Sequence, residues 1–246
     1  MRAAMSEEVV FGLLRRVPLF AALPPSDLRS AAARAHSMSR KKGARIFEEG
    51  SSGDSCYILT SGRAKVVLSG QAASEVILGT VEPFELVGEL ALIDRSPRSA
   101  GLVAIEDCQL IQLPGAAFLE LRRNGAFEDK LVAHVTTMLR RATEQLRAIY
   151  TYSSTERVAW CLARLGSRTG RRVGDAIVIS PRPPHQELAD MTGCSRETVT
   201  RILRHLKHLR WVTWDRQSLK LSARAFKRYL DVEEAAASGV EMARVV

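Results

Sequence analysis

The chain has 246 residues, of which 46% are hydrophobic and 26% charged, and it carries a net charge of +9. That length exceeds one small core and fits two modest domains, and the composition is that of an ordinary globular protein. No apolar run approaches the roughly 18–20 residues of a membrane span, which excludes a membrane-spanning helix.

The opening segment "MRAAMSEEVVFGLLRRVPLF" places acidic residues before a short apolar patch and offers no small-residue cleavage site. It reads as neither a secretory leader nor a membrane anchor, and Met5 can serve as the start. Cys56, Cys108, Cys161 and Cys194 include no CxxC pair. The expectation is reduced thiols in a cytoplasmic protein with no zinc, iron–sulfur or other metal site. Residues 7–35 read as short helices, with Ser26 and Asp27 of "LPPSDL" placed to cap one of them. From about residue 44 the pattern becomes "ARIFEEG", "SCYILTSG", "RAKVVLSG", "SEVILGTV", "GLVAI" and "CQLIQL", short β-prone runs punctuated by Gly, Ser and Pro. Such spacing predicts a β-sandwich or barrel. Within it, "GELALIDRSPRSA" (88–100) sets two charges, Glu89 and Arg98, in a stretch that otherwise reads as buried.

After residue 115 the period lengthens. Residues 128–152 contain no Gly or Pro, and Leu131, Val135, Met138, Ala142, Gln145, Ile149 and Tyr152 fall at alternating four- and three-residue steps. This heptad seam predicts a helix that pairs with a second copy of the chain. "SST" (153–155) ends it and caps another helix beginning near Glu156.

Residues 151–231 hold 16 Lys/Arg against 7 Asp/Glu, a net +9 equal to that of the whole chain. A polyanion is the expected partner of that segment. In "PHQELADMTGCSRETVTRILRHLKHLRWV" (184–212), a short helix, a turn at Gly193 and a second helix capped by Ser195 form a helix-turn-helix. Val199, Ile202, Leu203 and Leu206 face inward, while Arg196, Glu197, Thr200 and Arg201 face outward at the end that enters the major groove of DNA. Arg can fork onto guanine and Glu can accept from cytosine. "WVTWDRQSLKL" (211–221) reads as a two-stranded wing, with Lys220 able to reach a phosphate, as Gln186 and Ser195 can from the helix pair. His36, His134, His185, His205 and His208 are scattered, and no arrangement that marks catalysis is present, so no enzyme is expected.

"GCSRETVTRIL", "IFEEGSSGDSCYILTSGRAKV" and "GELALIDRSPRSA" together resemble the catabolite activator (CRP/FNR) family of bacterial transcription regulators, over roughly residues 15–230. The resemblance implies an α+β chain: N-terminal helices and a β-roll (jelly-roll) cyclic-nucleotide-binding domain over 1–127, a dimerisation helix over 128–153, a winged helix-turn-helix over 154–231, and a tail over 232–246. In "GELAL", a helical turn would offer the N–H groups of Leu90 and Ala91 to a ring phosphate, with Gly88 allowing close approach. Arg98 would fork onto phosphate oxygens, Ser99 would donate to another, and Glu89 would accept the ribose 2′-OH. Thr143 matches one of the two hydroxyl residues that contact the base in cyclic-AMP receptors, and Ala142 stands where the other would be. Cyclic AMP is therefore the expected effector, with cyclic GMP and cyclic di-GMP as alternatives. Double-stranded DNA with TGTGA-like half-sites, a second copy of the chain and RNA polymerase are the implied partners. Two rivals stand beside this reading: the same DNA-binding role with another effector or none, and a nucleotide-binding module that regulates a partner protein.

Overall fold

The structure is a computed structural model that describes residues 5–70 and 75–238, with side chains described through Asp231. Residues 1–4 and residues 239–246 of the expected tail lie outside the described residues. The chain divides into two compact units, Met1–His134 and Val135–Val246.

The first unit opens with α1 (Glu7–Leu14), a 3₁₀ turn at Pro18–Phe20 and α2 (Pro25–Arg34). The cap of α2 is Pro24, not Ser26 or Asp27. Pro25 at the first helical position starts the helix two residues earlier than expected, because its fixed φ suits that position and its missing N–H costs nothing there. The strands follow as β1 (His36–Arg40), β2 (Arg45–Phe47), β3 (Ser55–Ser61), β4 (Ala64–Ser69), β5 (Glu75–Val81) and β6 (Leu86–Val87). Then come α3 (Leu90–Asp94), β7 (Gly101–Ala104), β8 (Cys108–Pro114) and α4 (Gly115–Leu121). Two four-stranded antiparallel sheets result, ordered β1-β8-β3-β6 and β2-β7-β4-β5.

Two apolar clusters hold this unit. Ile46, Tyr57, Leu59, Val81, Leu102 and Leu110 come from both sheets and fill the space inside the roll. Leu14, Phe20, Ile58, Ile111, Phe118 and Phe127 pack the helices on the β1-β8-β3-β6 sheet. β3 feeds both clusters, since its alternate side chains point to opposite faces, and it is buried through five successive residues.

The long helix α5 (Gly125–Thr151) begins three residues before the expected start. Its first turns belong to the first unit because Phe127 and Leu131 are buried there. That burial takes Leu131 into the first core, while Tyr152 packs against the second and Met138 and Gln145 are half-buried. Leu139 (67% exposed), Leu146 (55%) and Ile149 (50%) form the apolar face left open. With Val135 and Ala142 they repeat at steps of four and three, and Val132, also exposed, is in phase with them.

The second unit continues with α6 (Ser154–Thr169), β9 (Arg171–Val173), β10 (Ala176–Ile179), α7 (His185–Thr192), α8 (Arg196–His208), β11 (Val212–Trp214), β12 (Leu219–Ser222) and α9 (Ala223–Ser238). The strands form one antiparallel sheet, β11-β12-β10-β9. α6 starts as the sequence predicts. The Ser153 hydroxyl accepts from the Glu156 N–H, and the Glu156 carboxylate accepts from the Ser153 N–H, a reciprocal cap that holds Glu156 below the usual carboxylate range. Ala148, Trp160, Leu162, Leu188, Val199, Leu203, Leu206, Leu221 and Phe226 form the core. α9 runs across the expected boundary at residue 232, and residues 232–238 are helical.

Candidate functional site

Two regions gather the chemistry, one in each unit. In the first, Gly88 follows β6 with φ +84°, a left-handed conformation that favours glycine. A Cβ there would stand 2.6 Å from Arg98 Nη1. Glu89 then begins α3, and the Leu92 and Ile93 N–H groups bond back to its carbonyl. Leu90 is half-buried and Ala91 buried at the start of that turn. Arg95, also left-handed at φ +58°, ends α3 and turns the chain back through Pro97 to Arg98.

Arg98 is only 4% exposed. Its Nη1 donates to the Gly88 carbonyl at 2.5 Å and its Nη2 to the Ser55 carbonyl at 2.6 Å. Its Nε is buried with no hydrogen-bond partner. The guanidinium lies over Phe47, 4.5 Å from the ring centroid, and near Tyr57, and those two rings stack on each other. Glu89 is 1% exposed, and its carboxylate stands 3.5 Å from His134 Nε2 on α5. Arg98 thus has carbonyls and aromatic faces around it but no carboxylate. A buried cation without a counter-ion is costly, and an incoming anion would relieve that cost. Cys56 sits beside both charges, and burial, then Glu89, pushes its thiol well above the usual range, so it stays protonated.

Ser99 is exposed next to Arg98. Thr143 belongs to the second unit, where its exposed hydroxyl donates to the Leu139 carbonyl. Sequence reasoning missed the Ser55 carbonyl, Phe47, Tyr57 and His134. Phe47 in "ARIFEEG" and Tyr57 in "SCYILTSG" read only as parts of β-prone runs, and His134 only as one of five scattered histidines.

In the second unit, Gly193 adopts φ +64° and ends α7. Ser195 then caps α8, its hydroxyl accepting from the Thr198 N–H at 3.1 Å and donating to Thr198 Oγ1 at 3.0 Å. Arg196, Glu197 and Arg201 are exposed on one face of the first turns of α8, with the apolar residues turned inward as expected. Thr200 departs from the expectation. It is half-buried, because its hydroxyl donates to the Arg196 carbonyl at 2.9 Å and faces His185 Nδ1 at 2.8 Å. Gln186 is exposed and donates to Asp190 at 2.8 Å.

The wing hairpin β11–β12 turns at Asp215. Its carboxylate accepts from the N–H groups of Gln217 (2.8 Å) and Ser218 (2.7 Å), which hold it below the usual range. Lys220 is exposed on β12 beside that turn. Among the described residues, no group of His, Cys, Asp and Glu is placed to hold a metal ion, and no helix is long and apolar enough to cross a membrane.

Comparison with known proteins matches both regions. A cyclic nucleotide-binding domain model matches residues 37–124, and a Crp-like helix-turn-helix domain model matches residues 156–225. The cyclic AMP receptor protein of Thermus thermophilus is 33% identical over 190 residues, covering 77% of this chain and 85% of its own. The CRP-like cAMP-activated global transcriptional regulator of Mycobacterium tuberculosis is 26% identical over 211 residues, 85% of this chain and 94% of its own. Among solved structures, FixK2 from Bradyrhizobium japonicum has the same fold, with a TM-score of 0.69 at 19% identity over 79% of this chain and 96% of its own. Since the helix-turn-helix match includes Arg196, Glu197 and Arg201 and the nucleotide-binding match includes Glu89 and Arg98, the chain belongs to the catabolite activator (CRP/FNR) family and is a cyclic-nucleotide-binding, DNA-binding transcription regulator.

Proposed function

We propose that the protein works as a homodimer in the cytoplasm, gated by cyclic AMP, and that it presents two recognition helices to two-fold symmetric DNA with TGTGA-like half-sites. The observation that carries the effector assignment is the buried Arg98 guanidinium, held by two carbonyls and paired with no carboxylate. A ring phosphate supplies the missing negative charge, with Ser99 and the N–H groups of Leu90 and Ala91 as further donors. Glu89 accepts from the ribose 2′-OH. Thr143 selects the base, and Ala142 beside it keeps cyclic GMP and cyclic di-GMP as the competing effectors. Calorimetric titration with the three nucleotides tests this order. Cyclic AMP is expected to bind most tightly, and a clear preference for either rival reassigns the effector.

Dimer formation is supported by the exposed residues Leu139, Ala142, Leu146 and Ile149, with half-buried Val135 in phase with them. A heptad seam of that length needs an apolar partner, and a second copy supplies an identical one. Two α8 helices spaced by one turn of DNA then read a symmetric site through Arg196, Glu197 and Arg201. Gln186, Ser195 and Lys220 contact phosphates, and half-buried Thr200 lies on the same helix end beside the base-reading residues. Moving the dimer from about 1:99 to 99:1 in its active form requires roughly 10⁴-fold tighter nucleotide binding to that form. RNA polymerase is the protein partner in this reading, and the chain acts by binding, not by catalysis.

A further inference from the structure

A polar chain runs from the wing to the recognition helix. Arg182 lies in the segment before α7, and its N–H donates to the Gln217 carbonyl at 2.8 Å. Its Nη1 donates to the Asp215 carbonyl at 3.3 Å, and its guanidinium lies over the Trp214 ring at 5.2 Å. Its Nη2 stands 2.9 Å from His185 Nε2. His185 Nδ1 in turn stands 2.8 Å from Thr200 Oγ1, and Thr200 donates to the Arg196 carbonyl.

Donor counting fixes the protons. A guanidinium only donates, so Nε2 accepts and carries no hydrogen. The Thr200 hydrogen is committed to Arg196, so Nδ1–H is the donor to Thr200. His185 is therefore neutral, in its Nδ1–H tautomer, and every link of the chain runs in one direction from Arg182 to Arg196.

We infer that His185 is a positioning residue for DNA recognition, one that holds the wing turn and the base-reading end of α8 in register and loosens the Arg182 side-chain hold on that turn when it takes up a proton. The inference rests on Arg196 being a base-reading residue. Protonation would point an N–H at the Arg182 guanidinium and set two cations 2.9 Å apart. Arg182 would then have to leave, and its bond to Asp215 and its contact with Trp214 would go with it. Thr200 would keep its donor and its bond to the Arg196 carbonyl, so the first turn of α8 is unchanged. The charges that bear on His185 are Arg182 in the preceding segment and Arg196 and Arg204 on α8, all positive. Burial, then these three, holds the imidazole below the ordinary histidine range. The relay is thus intact at neutral pH and opens only on acidification below the ordinary histidine range.

The test uses the full-length protein with saturating cyclic AMP and a duplex selected from a random pool at about pH 8. Affinity for the selected duplex is divided by affinity for a scrambled one, from about pH 8 to about pH 5, while NMR of the ring nitrogens follows His185. The expected result is an Nδ1–H tautomer and a ratio that falls about fivefold to tenfold along the same titration curve, the worth of one hydrogen bond. His185→Gln keeps an acceptor for Arg182 but cannot titrate, and should hold a nearly flat ratio close to the parent's value at high pH. His185→Asn keeps only the donor to Thr200, and its ratio should be flat and low. The other histidines remain in both variants, so a flat profile assigns the effect to His185. A parent ratio independent of pH, or a fall that persists in His185→Gln, overturns the inference. Failure to select any duplex overturns the base-reading assignment itself, and this inference with it.

Discussion

Glu89 and Arg98 lie in the same buried corner of the β-roll, both acting on the Cys56 thiol, yet no ion pair joins them. Arg98 is spent on the carbonyls of Gly88 and Ser55, and Glu89 faces His134. Each charge therefore keeps an unused capacity for a ligand, the guanidinium for an anion and the carboxylate for a hydroxyl. Arg98→Leu should weaken cyclic AMP binding by at least about a hundredfold, the scale of losing one partner of a buried charge pair. Stability should change little, since the substitution also removes an uncompensated buried charge. Calorimetry and thermal melts read the two effects separately.

Glu89→Gln tests the ribose contact. It should weaken cyclic AMP by about tenfold, the worth of one charge-assisted hydrogen bond. The 2′-deoxy analogue of cyclic AMP should bind parent and variant alike, since it has no hydroxyl to lose. Equal losses for both nucleotides would place Glu89 in the fold and not on the ribose.

The dimer seam makes a prediction about phase. Leu139→Glu should convert the protein to a monomer in sedimentation, because it would bury an unpaired charge at the centre of the interface. Met138→Gln, one residue away but off the open face, should leave the dimer intact. The reverse pattern would favour the phase through Leu131, Met138 and Gln145.

That seam shows where sequence reading reached its limit. Alternating steps of three and four fit two phases that share Val135, Ala142 and Ile149. Only the fold reveals that Leu131 is taken by the first core, which leaves Leu139 and Leu146 to carry the open face. The helix-turn-helix was legible because its signals are local: the Ser195 cap, Gly193 at positive φ and the inward apolar spacing. β1, polar in "HSMSR", is a strand only through its pairing with β8, and no local pattern announces it. β6, two residues long, is likewise defined by its pairing with β3. Glu89 and Arg98 were legible through resemblance, whereas the carbonyls that hold Arg98 have no side-chain signature. His185, read as one of five scattered histidines, is set apart only by its contacts with Arg182 and Thr200, three residues before it and fifteen after.

Arg196→Ala should relax the requirement at one guanine and weaken binding to the matched site by about tenfold to a hundredfold, as loss of a bidentate base contact does. Lys220→Ala should instead weaken matched, mismatched and random duplexes alike and lower the salt slope by about one charge. Binding curves at several salt concentrations separate the two. An equal loss on all three duplexes for Arg196→Ala would make it part of a basic surface only.

In the proposed function, nucleotide bound at Arg98 governs DNA binding through Arg196, Glu197 and Arg201. The most direct measurement is the affinity of the parent and of Arg98→Leu for one selected duplex, with and without cyclic AMP. Strong binding is expected only for the parent with nucleotide, and weak, nucleotide-independent binding for the variant. Parent affinity unchanged by cyclic AMP, cyclic GMP and cyclic di-GMP alike would contradict the proposed gating.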